Sequence, residues 1–171
     1  MLLAAIFLVS CQTHAKNIEE PYEGASLELA VVGEEPDVRE KQIKFSELSL
    51  EELYNTPSGK YDAVFIMKDH LTEASKEKYI EMYRDKEMPF FFVESKASHV
   101  PFIKMENPES YEQTAEKIDD TQNFISGILY VGGEKEYRSW KFSYPIQDSE
   151  IIRDNVQGIY SAAFKVIDGL K

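Results

Sequence analysis

The chain has 171 residues, 43% of them apolar, and carries a formal net charge of −12 at pH 7. A chain of this length can bury a true core as a single domain, and its apolar content excludes an intrinsically disordered protein. The negative charge repels nucleic acid and anionic bilayer surfaces, so neither is expected to be the partner of the folded domain.

An apolar run at positions 2–9 (LLAAIFLV) stands directly before Ser10 and the only cysteine, Cys11. A run of this length is typical of the hydrophobic region of a signal peptide and is far short of the roughly 20 residues that a membrane-spanning helix needs. The sequence Leu8-Val9-Ser10-Cys11 resembles the lipobox of bacterial lipoproteins. The whole chain is also similar to small lipoproteins of Gram-positive bacteria, a likeness that implies no particular activity.

The lipobox resemblance implies that residues 1–10 are a signal peptide and that Cys11 receives a diacylglyceryl group with fatty acids such as palmitate. Two buried acyl chains contribute about 0.8 kcal/mol per CH₂ group, which is enough for stable anchoring. The polar segment 11–26 would then be a tether. Residues 27–171 would form a single domain on the extracytoplasmic face of the cell membrane.

The domain is predicted to begin with a buried strand at Leu27–Val32, followed by a short edge-like segment at Gln42–Phe45. Ser49 and Glu52 have the spacing of a capping box. That spacing predicts a short helix from Leu50 to about Asn55.

Residues 61–94 are predicted to form a βαβ unit, the core of the fold. Apolar runs at Tyr61–Met67 and Pro89–Val93 are typical of strands buried on both faces of a sheet. Between them, Thr72–Met88 is charged and helix-favouring, and Pro89 stops it. Strands joined in this way run parallel. The inward face of the predicted helix consists of Ala74, Tyr79, Met82 and Tyr83.

A hairpin is predicted after the βαβ unit. Tyr111–Ile118 has the pattern of a short helix, and Phe124–Val131 and Tyr137–Tyr144 have the pattern of two antiparallel strands. One long helix over Tyr111–Val131 is the competing interpretation.

The closing helix is predicted over Ser149–Leu170. Apolar residues recur there at alternating spacings of four and three, the pattern of a helix packed on a sheet. The stripe consists of Ile152, Val156, Ile159, Ala163, Val166 and Leu170. Together these elements predict an α/β fold of three layers: a mostly parallel central sheet, an antiparallel hairpin that extends it, and helices on its faces.

The chain lacks the motifs of the common enzyme classes. It contains no glycine-rich phosphate loop, no HExxH, no CxxC and no GxSxG sequence. A lipidated Cys11 has no free thiolate for nucleophilic attack. We therefore predict no cofactor, no bound metal and no assigned catalytic residue.

Polar residues follow each strand of the predicted βαβ unit, where ligands of open α/β sheets bind. They include Asp69, His70, Glu94 and His99. Carboxylates and imidazoles together can ligate a divalent metal ion, and Asp69 can orient His70 as a general base. The interpretation we favour is that these are solvated loop residues, with Asp69 or Thr72 capping the helix that follows.

The predicted hairpin is rich in aromatic residues. Tyr130, Tyr137 and Trp140 can offer a binding surface for a peptide, a glycan or a partner protein. The alternative, which we favour from the pattern, is that alternate aromatic side chains pack on the closing helix.

The leading functional hypothesis is a membrane-tethered binding or interaction lipoprotein outside the cytoplasm, in contact with the membrane through the lipid on Cys11. The alternative is a metal-dependent or His/Asp-based hydrolase that uses the strand-end residues. A buried pocket that gathers Asp69, His70, Glu94 and His99 would favour the hydrolase.

Overall fold

The computed structural model describes residues 20–105, 108–132 and 136–171. The predicted signal peptide, Cys11 and most of the predicted tether lie outside these residues. Within them, one sheet is formed by β1 (Leu27–Val32), β2 (Ile43–Glu47), β3 (Ala63–Ile66), β4 (Phe90–Val93), β5 (Asn123–Gly132) and β6 (Glu136–Ser143). A small second sheet pairs β7 (Ile146–Gln147) with β8 (Glu150–Ile151). The α-helices are α1 (Leu50–Asn55), α2 (Leu71–Ala74), α3 (Glu77–Asp85), α4 (Tyr111–Ile118) and α5 (Gln157–Asp168).

The strands of the main sheet lie in the order β2-β1-β3-β4-β5-β6. The first four of these run parallel to one another, and the pairs β4–β5 and β5–β6 are antiparallel. The predicted α/β fold and its hairpin extension are therefore confirmed. The competing long helix over Tyr111–Val131 is wrong, because β5 occupies its second half. Within β5, Gly127 is required: a Cβ there would lie 2.6 Å from the ring of Phe91.

Helices cover both faces of the sheet. On one face, which we call the four-helix face, α1 to α4 enclose a cluster in which the rings of Phe92 and Phe102 stack at 3.7 Å. On the other, the α5 face, Phe65 stacks on Phe91 at 5.0 Å, and Phe164 of α5 packs above Phe65. Every residue of β3 and β4 is buried, which explains why these strands are continuous apolar runs.

Helix α1 is stabilised by the predicted capping box. The Ser49 hydroxyl accepts from the Glu52 backbone N–H, and the Glu52 carboxylate accepts from the Ser49 N–H. Leu50 and Leu53 are buried against the four-helix face. The predicted edge-like segment is also confirmed as β2, which pairs in parallel with β1.

The predicted helix over Thr72–Met88 is broken into α2 and α3. Lys76 is extended, with φ −67° and ψ 145°, and the Ser75 hydroxyl donates to the Thr72 carbonyl. The break is tolerated because the Tyr83 hydroxyl donates to the carbonyl of Ala74, an acceptor that a continuous helix would have satisfied. The four residues of the predicted inward face are all buried.

The closing helix starts at Gln157, not at Ser149. The preceding residues form β7 and β8, joined by Asp148 and Ser149, which adopt φ of 50° and 68°. Asp is one of the few residues that tolerate this left-handed conformation, so the sequence favours a turn there over a helix. Two members of the predicted stripe, Ile159 and Ala163, are buried as predicted, whereas Ile152, Val156, Val166 and Leu170 are half-buried. The buried face also includes Tyr160, Ser161, Phe164 and Ile167, so its centre is rotated from the predicted stripe.

Candidate functional site

The carboxyl ends of β1 and β3 lie side by side in the sheet. Strand β1 lies between β2 and β3, so the strand order reverses direction at this point. Open α/β sheets bind ligands in the crevice at such a point. Here Gly33 has φ 108°, and a Cβ on it would lie 2.9 Å from Met67 Cβ and 3.0 Å from His70 Cδ2. The side chains of Met67 and His70 therefore pack closely on Gly33, and both are half-buried there.

Asp69 and Thr72 do not cap the helix that follows β3. Met67 and His70 are the residues at the starts of the two helical segments, and neither start has a side-chain cap. Thr72 instead donates its hydroxyl to the Glu112 carboxylate of α4 at 2.5 Å. Asp69 is exposed. The predicted capping role is wrong because the chain enters a 3₁₀ turn directly after β3, so Met67 and His70 occupy the cap positions in place of Asp69 and Thr72.

Glu94 stands at the carboxyl end of β4 with a backbone φ of 56°. Its N–H donates to the Phe124 carbonyl at 2.6 Å, which ties it to β5. Its carboxylate lies 3.4 Å from the Lys68 ammonium, and both side chains are largely exposed. An ion pair as exposed as this contributes little to stability, so both charges can exchange partners.

The sequence did not single out as site candidates either Tyr160, which is affected by the charge of Glu94, or Arg153, which contacts Tyr144. Burial raises the pKa of Tyr160, and the negative charge of Glu94 adds to that effect. Arg153 places its guanidinium 4.6 Å from the ring centre of Tyr144 and donates to the Thr121 carbonyl at 2.7 Å. No sequence signal marked Arg153, because the predicted closing helix ran through the segment that forms β8 and its neighbours.

His99 belongs to a different group of polar residues. Its Nδ1 lies 3.5 Å from the Ser98 hydroxyl, which in turn lies 3.1 Å from the Ser126 hydroxyl. The His99 ring meets the edge of Tyr137 at 5.7 Å between centroids. Burial lowers the pKa of His99, so its neutral form is favoured in the folded chain. The Ser126 hydroxyl donates to Asn123 Oδ1, and both residues lie in β5. The contacts of His99 and its neighbour Ser98 are therefore with the hairpin.

The structure therefore does not gather the four strand-end candidates. Glu94 pairs with Lys68, His70 packs on Gly33, and His99 faces the hairpin. Among residues 20–105, 108–132 and 136–171, no group of three or more His, Cys, Asp or Glu side chains is placed to hold a metal ion.

The aromatic residues of the hairpin divide between the two faces of the sheet. Tyr130 and Tyr137 are register partners on the four-helix face, where their ring centroids are 5.8 Å apart. Tyr130 is buried, and its hydroxyl accepts from the Lys104 N–H. Trp140 lies on the α5 face, 6.2 Å from Phe91. Tyr137 and Trp140 are half-buried, so each keeps an exposed rim on its own side of β6.

A cleft of about 630 Å³ opens at the other end of the domain, beside the first described residues. It is lined by residues 20–24 together with Lys165 and Asp168. Tyr22 forms its inner wall and is itself 3% exposed. Burial, with the Asp168 carboxylate nearby, raises the pKa of Tyr22 to about 12, so its hydroxyl stays neutral and donates to the Ala25 carbonyl.

Comparison with known proteins supplies no relative for this chain. No protein-family model matches it, no curated protein matches it, and no solved structure matches it. Within the described part of the chain, no helix combines the length and apolar character needed to cross a membrane.

Proposed function

We propose that the chain is a lipid-anchored binding protein on the extracytoplasmic face of the cell membrane. The lipid on Cys11 attaches it to the membrane, and the α/β domain presents the binding surface. The Leu8-Val9-Ser10-Cys11 sequence supports the anchor.

The observation that carries this proposal is the docking of Tyr22 on the domain. Its backbone N–H donates to the buried Glu40 carboxylate at 3.0 Å, and its ring lies 6.2 Å from that of Phe164. The chain is thus part of the folded domain from Tyr22 onward. The 11 steps from Cys11 to Tyr22 (22 − 11) span at most about 40 Å even when fully extended. A lipid on Cys11 would therefore keep the domain close to the bilayer surface.

The arrangement of the strand-end residues supports binding over hydrolysis. A metal-dependent or His/Asp-based hydrolase would need Asp69, His70, Glu94 and His99 around one reacting centre. Instead His70 packs on Gly33, and His99 lies against the hairpin. A binding protein requires no such convergence.

Membrane fractionation of the full chain, expressed in a bacterium that processes lipoproteins, tests the anchor. We expect the wild type in the membrane fraction and Cys11→Ala in the soluble fraction, because only the lipid holds the domain. His14→Ala, a substitution outside the lipobox, is the matched control and should fractionate as the wild type does. A Cys11→Ala protein that stays with the membrane would overturn the proposal.

A further inference from the structure

Strand β6 leaves one edge of the main sheet open. It is the last strand in the sheet order and, in the residues that the structure describes, it pairs only with β5. The outer edge of such a strand carries a row of unpaired backbone N–H and C=O groups. An extended peptide can add to this edge as a further strand, with its main-chain hydrogen bonds supplying affinity.

The hydrogen bond from Glu94 N to Phe124 O decides which backbone groups of β6 point outward. It directs the Phe124 carbonyl toward β4, and the direction of these groups alternates along an antiparallel strand. The alternate residues of β5 therefore direct their groups toward β6 and are Ile125, Gly127 and Leu129, whose register partners are Phe142, Trp140 and Arg138. The residues of β6 left with groups that point away from the sheet are Tyr137, Ser139 and Lys141.

Strand β6 lacks proline, one of the devices that block an edge strand, and its bulges lie away from its centre. Its sequence, EYRSWKFS, contains neither Pro nor Gly. The register shifts of the hairpin lie toward its ends, and the pairing between them is regular. The ammonium of Lys141 is held by Asp120 at 2.5 Å. The central part of the edge, between the two register shifts, is thus able to pair.

The side chains along β6 define what an added strand would meet. Trp140 and Tyr137 are half-buried on opposite faces, and both have rims that a neighbouring strand would cover. Arg138 is exposed and has no partner in the described part of the chain. A residue opposite Arg138 on an added strand would lie on the same face of the sheet as Arg138. A carboxylate there would attract the guanidinium, and a cation would repel it.

We propose that β6 binds an extended peptide by strand addition, in the antiparallel direction, and this proposal rests on the proposed binding function. The peptide has an apolar residue opposite Trp140, an acidic residue opposite Arg138 and an apolar residue opposite Tyr137. Read along the peptide, the pattern is apolar, any residue, acidic, apolar. A second copy of the chain is a poorer partner, because each copy carries a net charge of −12.

The test uses the capped peptide Thr-Val-Thr-Glu-Val-Thr, which carries this pattern, and the full chain. Trp140 is the only tryptophan, so its fluorescence reports directly on β6. We expect a saturable change in emission at roughly millimolar peptide, since a short strand gains only a few pairing interactions. A peptide with Lys in place of Glu should bind several-fold more weakly. Equal binding of the two peptides, or no saturable change in the wild type, would overturn the proposal.

Ser139→Pro removes an outward N–H without touching a hydrogen bond to β5, and it should abolish the emission change. Ser139→Thr keeps the N–H, favours a strand, and should bind as the wild type does. The thermal unfolding of both variants shows that each is folded. Unchanged peptide binding by folded Ser139→Pro would contradict the edge site.

Sedimentation tests a second copy of the chain as the partner. Self-association of the wild type that is lost in Ser139→Pro would overturn the peptide in favour of a second copy. These results are separable from the anchor, since Cys11→Ala fractionation is independent of peptide binding.

Discussion

The carboxylate of Glu40 accepts a hydrogen bond from the Ser161 hydroxyl, with 2.5 Å between the two oxygens. Glu40 lies on the connection from β1 to β2, Ser161 lies in α5, and the Glu40 side chain is 1% exposed. The same carboxylate oxygen accepts from the Tyr22 backbone N–H at 3.0 Å. One buried carboxylate therefore joins the first described segment of the chain to its closing helix.

Glu40→Ala should destabilise the domain by about 3 kcal/mol, because it leaves the buried Tyr22 N–H without its acceptor and removes the carboxylate that Ser161 and Arg39 contact. Urea denaturation measures the change. Glu47→Ala, at an exposed position of β2, is the control and should shift stability by about 0.5 kcal/mol or less. Equal effects of the two substitutions would show that the Glu40 contacts do not contribute.

The rotated face of α5 predicts which helix residues are essential. Phe164 is fully buried, so Phe164→Ala should cost about 3–5 kcal/mol through lost burial and the cavity it leaves. Val166→Ala, at a half-buried position of the predicted stripe, should cost much less. Thermal melts of the two variants distinguish the faces. A larger loss of stability for Val166→Ala than for Phe164→Ala would show that the predicted stripe is the buried face.

The close packing of Met67 and His70 on Gly33 predicts that alanine substitutions at two glycines have unequal effects on stability. Gly33 and Gly59 both have positive φ, but a Cβ at Gly33 meets Met67 and His70, whereas nothing lies within 4 Å of one at Gly59. Gly59→Ala should therefore cost about 1 kcal/mol for backbone strain alone, and Gly33→Ala clearly more. Denaturation midpoints give the comparison. Equal losses would show that Met67 and His70 leave room for a Cβ at Gly33.

His99 should make the domain less stable in mild acid. Burial lowers the pKa of His99 below its ordinary value of 6.5, so the unfolded chain binds the proton more readily than the folded chain does. The contribution is fully present above about pH 6.5 and is lost as the pH falls through the range below it. His99→Gln should weaken this pH dependence of the melting temperature, and His70→Gln should leave the His99 contribution in place. An identical pH profile for His99→Gln and wild type would exclude the burial effect.

The sequence predicts the central strands well because a strand buried on both faces is apolar at every position. Ala63–Ile66 and Phe90–Val93 are apolar at every position, and runs this short are typical of strands buried on both faces of a sheet. The start of α5 was harder to predict, since the spacing of Ile152 and Val156 continues the helical pattern into residues that precede the helix.

The candidate site was less predictable, because convergence depends on side-chain direction. His70 and His99 both follow strands, yet one packs on Gly33 and the other meets Tyr137. The hairpin aromatics show the same limit. Alternation along β6 places Tyr137 and Trp140 on opposite faces, which follows from the strand period once the register is known.

The most direct measurement is the intact mass of the full chain after expression in a bacterium that processes lipoproteins. We expect a mature protein that begins at Cys11 and carries a diacylglyceryl group there, and no such mass for Cys11→Ser. A mature protein that retains residues 1–10, or that carries an unmodified Cys11, would contradict the proposed anchor.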